Sequence, residues 1–154
     1  MKISQDKLWI MCGRSFSGKS THALEIARSH NAVIISLDEI NLERGLVSGA
    51  GLEIREWCES TRIAHDRAAK FLRQGQSVVV DDTNSLKFLR DDWRKLAFEC
   101  KSNFEIVWLP ISEVEQAQRV SANRETRLRA DISDEVLRIH NLTFEEPTQL
   151  ELDN

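Results

Sequence analysis

The 154-residue sequence lacks the features that identify secreted and membrane proteins. Its amino terminus has no long apolar stretch of the kind found in signal peptides, and no run approaches the ~18 apolar residues of a membrane span. Its three cysteines form an odd set without CxxC spacing, so we interpret them as ordinary apolar residues rather than disulfide partners. These absences predict a cytoplasmic protein with no membrane partner.

Excess positive charge is also absent. The formal net charge is −4, whereas a protein that binds long nucleic acids non-specifically is more often basic. The four histidines show no metal-ligand arrangement, so no metal site is expected on them. An Asn-Lys-x-Asp guanine signature is missing as well, which argues against a GTPase switch.

What the sequence does contain is an alternation of short apolar runs and helical patterns. Most of the runs are nearly continuous in apolar character, as in strands buried on both faces of a parallel sheet. They occupy residues 8–12, 32–37, 77–80 and 104–109, with helical periodicity at residues 19–29, 53–74 and 86–100. This order predicts one α/β domain over residues 1–154, whose ligands bind at the carboxyl ends of the strands.

The most specific motif directly follows the first apolar run. Residues 13–20 read GRSFSGKS and match the phosphate-loop pattern G-x-x-x-x-G-K-[ST]. Its glycines let the backbone approach a phosphate, while the loop amides and the following helix terminus attract anions. Lys19 supplies charge for the β- and γ-phosphates, and the Ser20 hydroxyl is suited to bind Mg²⁺. Thr21 either contacts a phosphate or caps the helix. The predicted cofactors are ATP and Mg²⁺, and the predicted binding residues are Gly13, Ser15, Ser17, Gly18, Lys19, Ser20 and Thr21.

An acidic residue, Asp38, follows the second apolar run. In this topology it faces the γ-phosphate, where a carboxylate can accept the proton of an attacking hydroxyl. The same position also suits the N-cap of a helix that begins near Glu39, because aspartate is a favoured cap. The spacing leaves both interpretations open, and Glu39 is the fallback base.

Two adjacent acids, Asp81 and Asp82, end the third apolar run. A strand-end aspartate near the loop serine is the usual second support for Mg²⁺, and we favour Asp81 over Asp82 for this role. The same stretch is also good turn material. Asn84 is a candidate for orienting the substrate or the lid.

Four arginines lie within eleven residues after the fourth run, at positions 119, 124, 127 and 129. Phosphoryl transfer needs positive charge around the transferred group, commonly from a mobile lid. A solvated helix face is the alternative. Of the four, Arg124 and Arg127 are the preferred candidates because they are three residues apart, on one helical face.

The strand–helix order and these motifs together predict a three-layer P-loop NTPase fold. It has a parallel sheet of four or five strands, helices on both faces and a short C-terminal lid at about residues 119–131.

Taken together, these motifs resemble the small P-loop kinases that include the kinase domain of phage-type polynucleotide 5′-kinase, the zeta toxins and chloramphenicol phosphotransferase. The resemblance rests on residues 13–21, the Ser-Leu-Asp step at Asp38, the VDDTN segment at 80–84, the lid arginines and the FEEP segment at 144–147. It implies a hydroxyl kinase in which Asp38 is the general base and Arg127 is the lid arginine.

Two departures from that family bear on the substrate. The residues after Asp38 read EINLE, acidic and apolar, whereas polynucleotide kinases tend to carry basic residues there. The lid reads Asn123-Arg124, in the reverse of the usual order. The sequence therefore favours a small-molecule alcohol as acceptor. A polynucleotide 5′-hydroxyl and a regulatory ATPase without an acceptor are the alternatives.

The acceptor site itself is expected near residues 41–60. Gly45, Gly49 and Gly51 indicate a mobile loop there, and the helix that follows brings Trp57, Arg62 and His65 towards the pocket. Trp57 fits a core position better than a substrate platform, because it shares a helical face with Ile54 and Ala64.

Overall fold

The computed structural model describes residues 5–46 and 52–153. Gly49 and Gly51, which carry part of the loop prediction, lie outside the described residues. The elements in chain order are β1 (Lys7–Cys12), α1 (Lys19–His30), β2 (Val33–Ser36), α2 (Leu37–Glu43), α3 (Ile54–Arg73), β3 (Val78–Asp81), α4 (Lys87–Glu99), β4 (Asn103–Trp108), α5 (Glu113–Thr126), α6 (Asp134–Thr143) and α7 (Gln149–Asp153).

The strands form one parallel sheet in the order β2-β3-β1-β4. Each strand is a short run rich in β-branched and other apolar residues, and the central pair β1 and β3 is almost wholly buried. The register places Ser36 opposite Asp81, so β2 and β3 end at the same edge of the sheet. The predicted parallel sheet is confirmed, with four strands among the described residues.

Helices cover both faces of this sheet, because successive strand residues point to opposite sides. On one face Leu8, Ile10 and Cys12 pack with residues of α2, α3 and α4 in the larger core cluster. On the other face Trp9 and Met11 pack with Ala23 of α1. The result is the predicted three-layer arrangement.

The end of α3 is set by Gly75, as its sequence position predicts. Gly75 has φ of +77°, and its N–H donates to the Leu72 carbonyl at 2.9 Å. The N–H of Gln76 donates to the Phe71 carbonyl at 3.0 Å, which completes a Schellman-type stop. The chain then enters β3.

The start of α2 differs from the capping alternative considered for Asp38. The helix begins at Leu37, and its N-cap is Ser36, whose hydroxyl accepts from the Glu39 N–H at 3.2 Å. Asp38 therefore lies inside the first turn, and the interpretation of Asp38 as the cap is wrong. The pattern Ser-x-x-Glu at residues 36–39 is a capping-box signal that points to Ser36.

The carboxyl-terminal region consists of α5, α6 and α7. The predicted lid covers the second half of α5 and the connection to α6, and its movement stays a prediction. In α4 the buried Arg90 pairs with Glu151 of α7 at 2.9 Å, which joins α7 to α4. Across the described ranges, 5–46 and 52–153, no helix has the length and apolar character needed to cross a membrane.

Candidate active site

The phosphate loop takes its shape from the two glycines of the motif. A Cβ atom at Gly13 would lie 2.5 Å from Ser17 Oγ and 2.9 Å from the Leu109 carbonyl oxygen, so only glycine fits. The Gly13 N–H donates to the Thr83 carbonyl at 3.1 Å and ties the loop to the segment after β3. Gly18 has φ of +92°, a conformation that residues with side chains rarely adopt.

Lys19 points back into this loop. Its Nζ donates to the Arg14 carbonyl oxygen at 2.8 Å. The pKa of Lys19 is lowered to about 8, mainly by burial and in part by the charge of Arg129, against the opposing effect of Asp81 and Asp82. A partly desolvated ammonium among loop amides is suited to a phosphate, whose charge would replace the lost hydration.

Ser20 and Asp81 meet at the carboxyl edge of the sheet. The Ser20 hydroxyl donates to Asp81 Oδ2 at 2.8 Å, although the two residues are 61 positions apart. Ser20 opens α1 just after the loop, and Asp81 is the last residue of β3. Their contact brings together the two oxygen groups that the sequence assigns to Mg²⁺.

Asp82, the next residue, is half-buried at the same edge. Its pKa is raised to about 6, mainly by burial and also by the charges of Asp38 and Asp81, against the opposing effects of the Thr83 N–H and Lys19. Three carboxylates therefore share this edge of the sheet, and their mutual repulsion creates a demand for positive charge.

The donor atoms at this edge fit Mg²⁺. Within the described ranges, no group of three or more His, Cys, Asp or Glu side chains is arranged to hold a metal ion. An ion here would rely on the Ser20 hydroxyl, one carboxylate and oxygen atoms from a nucleotide and water, which is the usual donor set for Mg²⁺.

Asp38 stands across the strand ends from this group. Its place in the first turn of α2 follows from the Ser36–Asp81 register, which sets the end of β2 beside the end of β3. Partial burial raises the pKa of Asp38, and the Asp81 charge raises it further, against the opposing charges of Arg129 and Lys19. A carboxylate with a raised pKa is a better proton acceptor than an ordinary one.

Two of the four arginines contact the phosphate loop. Arg119 Nη1 donates to the Phe16 carbonyl at 2.7 Å, and the guanidinium carbon of Arg129 lies 4.0 Å from the centre of the Phe16 ring. Arg129 is also the arginine whose charge acts on both Lys19 and Asp38. Its backbone is held by the side chain of Asn123, which bonds both its N–H and its carbonyl.

The two arginines that the sequence favours are placed differently. Arg124 pairs with Asp131 at 3.1 Å and Asp134 at 2.7 Å, on the exposed side of the α5–α6 connection. Arg127 is the C-cap of α5 with φ of +52°, so it does not share a helical face with Arg124. The geometry therefore favours Arg129 over both. In the sequence, Arg129 is marked only by its place in the arginine cluster.

The terminal FEEP segment also contacts the phosphate loop, which its sequence alone did not indicate. Arg14 pairs with Glu146 at 3.1 Å, and its guanidinium lies 4.6 Å from the centre of the Phe144 ring. The Glu145 N–H donates to the Ser85 carbonyl at 2.8 Å. The carboxyl-terminal segment thus braces the loop from outside.

Asn84 holds the framework rather than a substrate. Its buried Nδ2 donates to the Met11 carbonyl at 2.7 Å, and its own carbonyl accepts from Arg90 at 2.9 Å. The first bond joins the segment after β3 to β1, next to the phosphate loop, and the second joins it to α4. The suggestion that Asn84 orients the substrate or the lid has no support in this geometry.

The three residues expected near the acceptor, His65, Arg62 and Trp57, lie in different surroundings. His65 stacks on Trp93 at 3.9 Å between α3 and α4, and burial lowers the pKa of His65, so it packs against the core. Arg62 pairs with Glu59 and Asp66 on the surface of α3. Trp57 is half-buried, between its two predicted roles.

Comparison with known proteins agrees with this architecture. A protein-family model described as an AAA domain matches residues 8–147. No curated protein sequence matches the chain.

Solved structures with the same fold include several kinases. A chain of the Pnkp1/Rnl/Hen1 RNA repair complex is 21% identical, with a TM-score of 0.77 over 92% of this chain and 45% of that chain. A gluconokinase from Sinorhizobium meliloti is 20% identical, with a TM-score of 0.68 over 97% and 79% of the two chains. The APS kinase CysC of Mycobacterium tuberculosis, solved with AMPPNP and APS, is 19% identical, with a TM-score of 0.67 over 96% and 86%. At these identities the likeness concerns the fold, and this chain spans less than half of the repair-complex chain.

Proposed function

The chain belongs to this AAA-domain family and has a kinase-type P-loop fold, and on that basis we propose that it is an ATP-dependent phosphotransferase that moves the γ-phosphate of ATP to a hydroxyl of a small molecule. The observation that carries the proposal is the bond from Ser20 Oγ to Asp81 Oδ2 beside the half-buried ammonium of Lys19. A phosphate site, an oxygen site for a cation and a separate carboxylate occupy one edge of the sheet.

In this proposal the phosphate loop binds ATP. The amides of residues 13–20 and Lys19 hold the phosphates, and Thr21 lies at the start of α1, where an α-phosphate would approach. Ser20 and Asp81 would hold Mg²⁺, which, when bound, neutralises charge on the β- and γ-phosphates.

Asp38 is the proposed base. As the acceptor oxygen bonds to the γ-phosphorus, the bond from that phosphorus to the bridging oxygen of ADP breaks. Asp38 takes the proton that the acceptor hydroxyl gives up. Lys19 and Arg129 stabilise the charge on the transferred group, and Arg129 replaces Arg124 and Arg127 in this role because it faces the phosphate loop.

A small, uncharged acceptor fits the surroundings of Asp38 better than a polyanion. Two arginines of this region are engaged by acids: Arg44, the α2 C-cap, pairs with Glu56 at 2.7 Å, and Arg67 of α3 pairs with Glu43 at 2.6 Å. Glu39 lies exposed in the first turn of α2. A nucleic-acid 5′-hydroxyl is the competing acceptor, since a chain of an RNA repair complex shares the fold.

A panel of acceptors tests the proposal. Purified protein with ATP and Mg²⁺ is given small alcohols, nucleosides and 5′-hydroxyl oligonucleotides, and both ATP loss and the phosphorylated product are measured. Phosphate transfer to a small alcohol is the expected result. Transfer to the oligonucleotide supports the competing acceptor, and hydrolysis without any transfer supports a regulatory ATPase.

Lys19→Ala separates this activity from a contaminant. The substitution removes the only ammonium of the loop, so we expect transfer to fall by on the order of 10²–10³-fold with the melting temperature retained. Lys95→Ala is the matched control, because Lys95 is an exposed lysine on α4. Undiminished turnover in a folded Lys19→Ala protein would show that the phosphate loop is not the site.

A further inference from the structure

Phe16 is an unusual residue for the tip of a phosphate loop. Its φ is +68°, in the left-handed region that a bulky side chain adopts at an energetic cost. Its ring is nevertheless buried, with 6% of the residue exposed. A conformation of this kind persists only where the surrounding contacts stabilise it.

Those contacts come from the α5–α6 pair. The ring packs with Val120 of α5 and Leu137 of α6 in a small apolar cluster that is separate from the two clusters of the sheet, and Ile132 packs against it. This cluster is the apolar joint between the phosphate loop and the two helices.

Polar contacts around the ring reinforce this joint. Arg119 of α5 donates to the Phe16 carbonyl at 2.7 Å, and Gln116 Nε2 donates to the Ser15 carbonyl at 3.0 Å. Gln116 also accepts from Asn141 of α6 at 2.8 Å, so one side chain contacts the loop and both helices. The loop tip and the helix pair are therefore fixed to one another.

The outer face of the ring carries Arg129. Its guanidinium carbon lies 4.0 Å from the ring centre, a distance at which the ring quadrupole attracts the cation. Asn123 fixes the backbone of Arg129 through bonds of 3.0 and 3.1 Å. With its backbone held by Asn123 and its guanidinium by Phe16, Arg129 is positioned from both ends.

We propose that Phe16 is a positioning residue that holds Arg129 against the γ-phosphate site, so that the phosphate loop and the α5–α6 arginine are assembled before nucleotide binds. The inference rests on the proposed function for the role of Arg129. It explains why an aromatic residue stands at a positive-φ position that glycine would occupy without strain.

The prediction is a loss of discrimination between ATP and ADP, not a general loss of binding. In the proposed mechanism Arg129 acts on the γ-phosphate, whereas the loop amides and Lys19 also hold the β-phosphate. Displacing Arg129 should therefore weaken AMPPNP binding while ADP binding is retained. The size expected from losing one cation–ring contact is about 3–30-fold in the ratio of the two dissociation constants.

Phe16→Gly is the main variant, because glycine adopts the same φ without strain and removes the ring. We expect near-normal ADP affinity and reduced AMPPNP affinity, both measured by calorimetric titration with Mg²⁺. Phe16→Leu is the second variant. It keeps an apolar side chain in the cluster and loses only the ring face, and it should shift the ratio in the same direction.

Three further variants give the experiment its controls: Phe104→Leu, Arg129→Ala, and the double variant that combines Arg129→Ala with Phe16→Leu. Phe104→Leu is matched to Phe16→Leu, because Arg94 lies 4.7 Å from the Phe104 ring at a site remote from the loop. It should change the melting temperature and leave the ratio unchanged. In an Arg129→Ala background, Phe16→Leu should have no further effect on the ratio, since there is no guanidinium left to position.

Either of two results would overturn the proposal: equal weakening of ADP and AMPPNP in both Phe16 variants, or an undiminished Phe16→Leu effect on the ratio in the Arg129→Ala background. These measurements need no acceptor. If the acceptor panel finds no phosphorylated product, the proposed reaction fails, while the coupling of Phe16 to Arg129 is still decided by the titrations.

Discussion

Lys19 and Ser20 begin α1 just after the loop that follows β1, and Asp81 ends β3, so all three are positioned by buried strands. Arg119, by contrast, lies on α5 and Arg129 in the α5–α6 connection, where the charged side chains are all exposed. Backbone pairing positions Lys19, Ser20 and Asp81: β1 and β3 are paired residue by residue, and Ser20 contacts Asp81 as a consequence. Arg119 and Arg129 are positioned instead by individual side-chain contacts. The comparison teaches that the phosphate half of the site follows from topology, while the arginine half depends on particular partners.

The largest effect on turnover is expected at Asp38, whose position follows from the pairing of β2 with β3. Asp38→Asn keeps the size of the side chain but removes the base, so we expect kcat to fall by ~10²–10⁴-fold with the ATP dissociation constant nearly unchanged. Since Ser36 caps α2, the melting temperature should also be retained. The measurement is turnover, nucleotide titration and thermal unfolding of one variant.

Glu39→Gln is the control for this prediction, because Glu39 is the neighbouring acid in the same helical turn. It should leave kcat close to the wild-type value. A fully active Asp38→Asn protein would remove the base from the mechanism and favour a regulatory ATPase. A large loss in Glu39→Gln alone would move the base to the fallback position.

The second prediction compares Arg129 and Arg124, whose positions depend on side-chain contacts. Arg129→Ala should lower kcat by on the order of 10²–10³-fold, because it removes a preorganised charge at the transferred group. Arg124→Ala should stay within about 5-fold, since it removes exposed ion pairs with Asp131 and Asp134. A larger loss of single-turnover rate in Arg124→Ala than in Arg129→Ala would mean that the lid rearranges and that Arg124, the candidate chosen from the sequence, is correct.

This contrast also explains what could be predicted from the sequence. The phosphate loop and the acid after β3 are local patterns on buried strands, so their positions follow from the motif and the parallel sheet. The choice among the arginines could not follow in this way, because it depends on Phe16 and Asn123, and Phe16 lies 113 positions before Arg129. Ser36 is a different case, since its capping-box pattern was readable and Asp38 was considered for the cap instead.

A third prediction concerns the metal and tests the choice between neighbouring acids. Chelating divalent ions should stop transfer, and Mg²⁺ should restore it. Asp81→Asn should raise the Mg²⁺ concentration for half-maximal rate by roughly 10-fold or more, because Asp81 is the acid that contacts Ser20. Asp82→Asn should change this requirement less. A larger increase for Asp82→Asn would assign the metal to Asp82.

The smallest effect is expected on stability, at Asp82. Burial and the charges of Asp38 and Asp81 raise its pKa from 3.8 to about 6 in the folded protein. Because this pKa is raised, ionisation of Asp82 opposes folding. The destabilisation is complete above about pH 6 and absent below about pH 3.8.

Without Mg²⁺, Asp82→Asn should therefore raise the free energy of unfolding by about 1–3 kcal/mol at pH 7.5, and this gain should vanish near pH 4. Denaturant unfolding at both pH values measures it, with the exposed Asp66→Asn as a control expected to stay within about 0.5 kcal/mol. An equal gain at both pH values would mean that the amide improves packing, and that the crowded carboxylates at this edge do not repel one another.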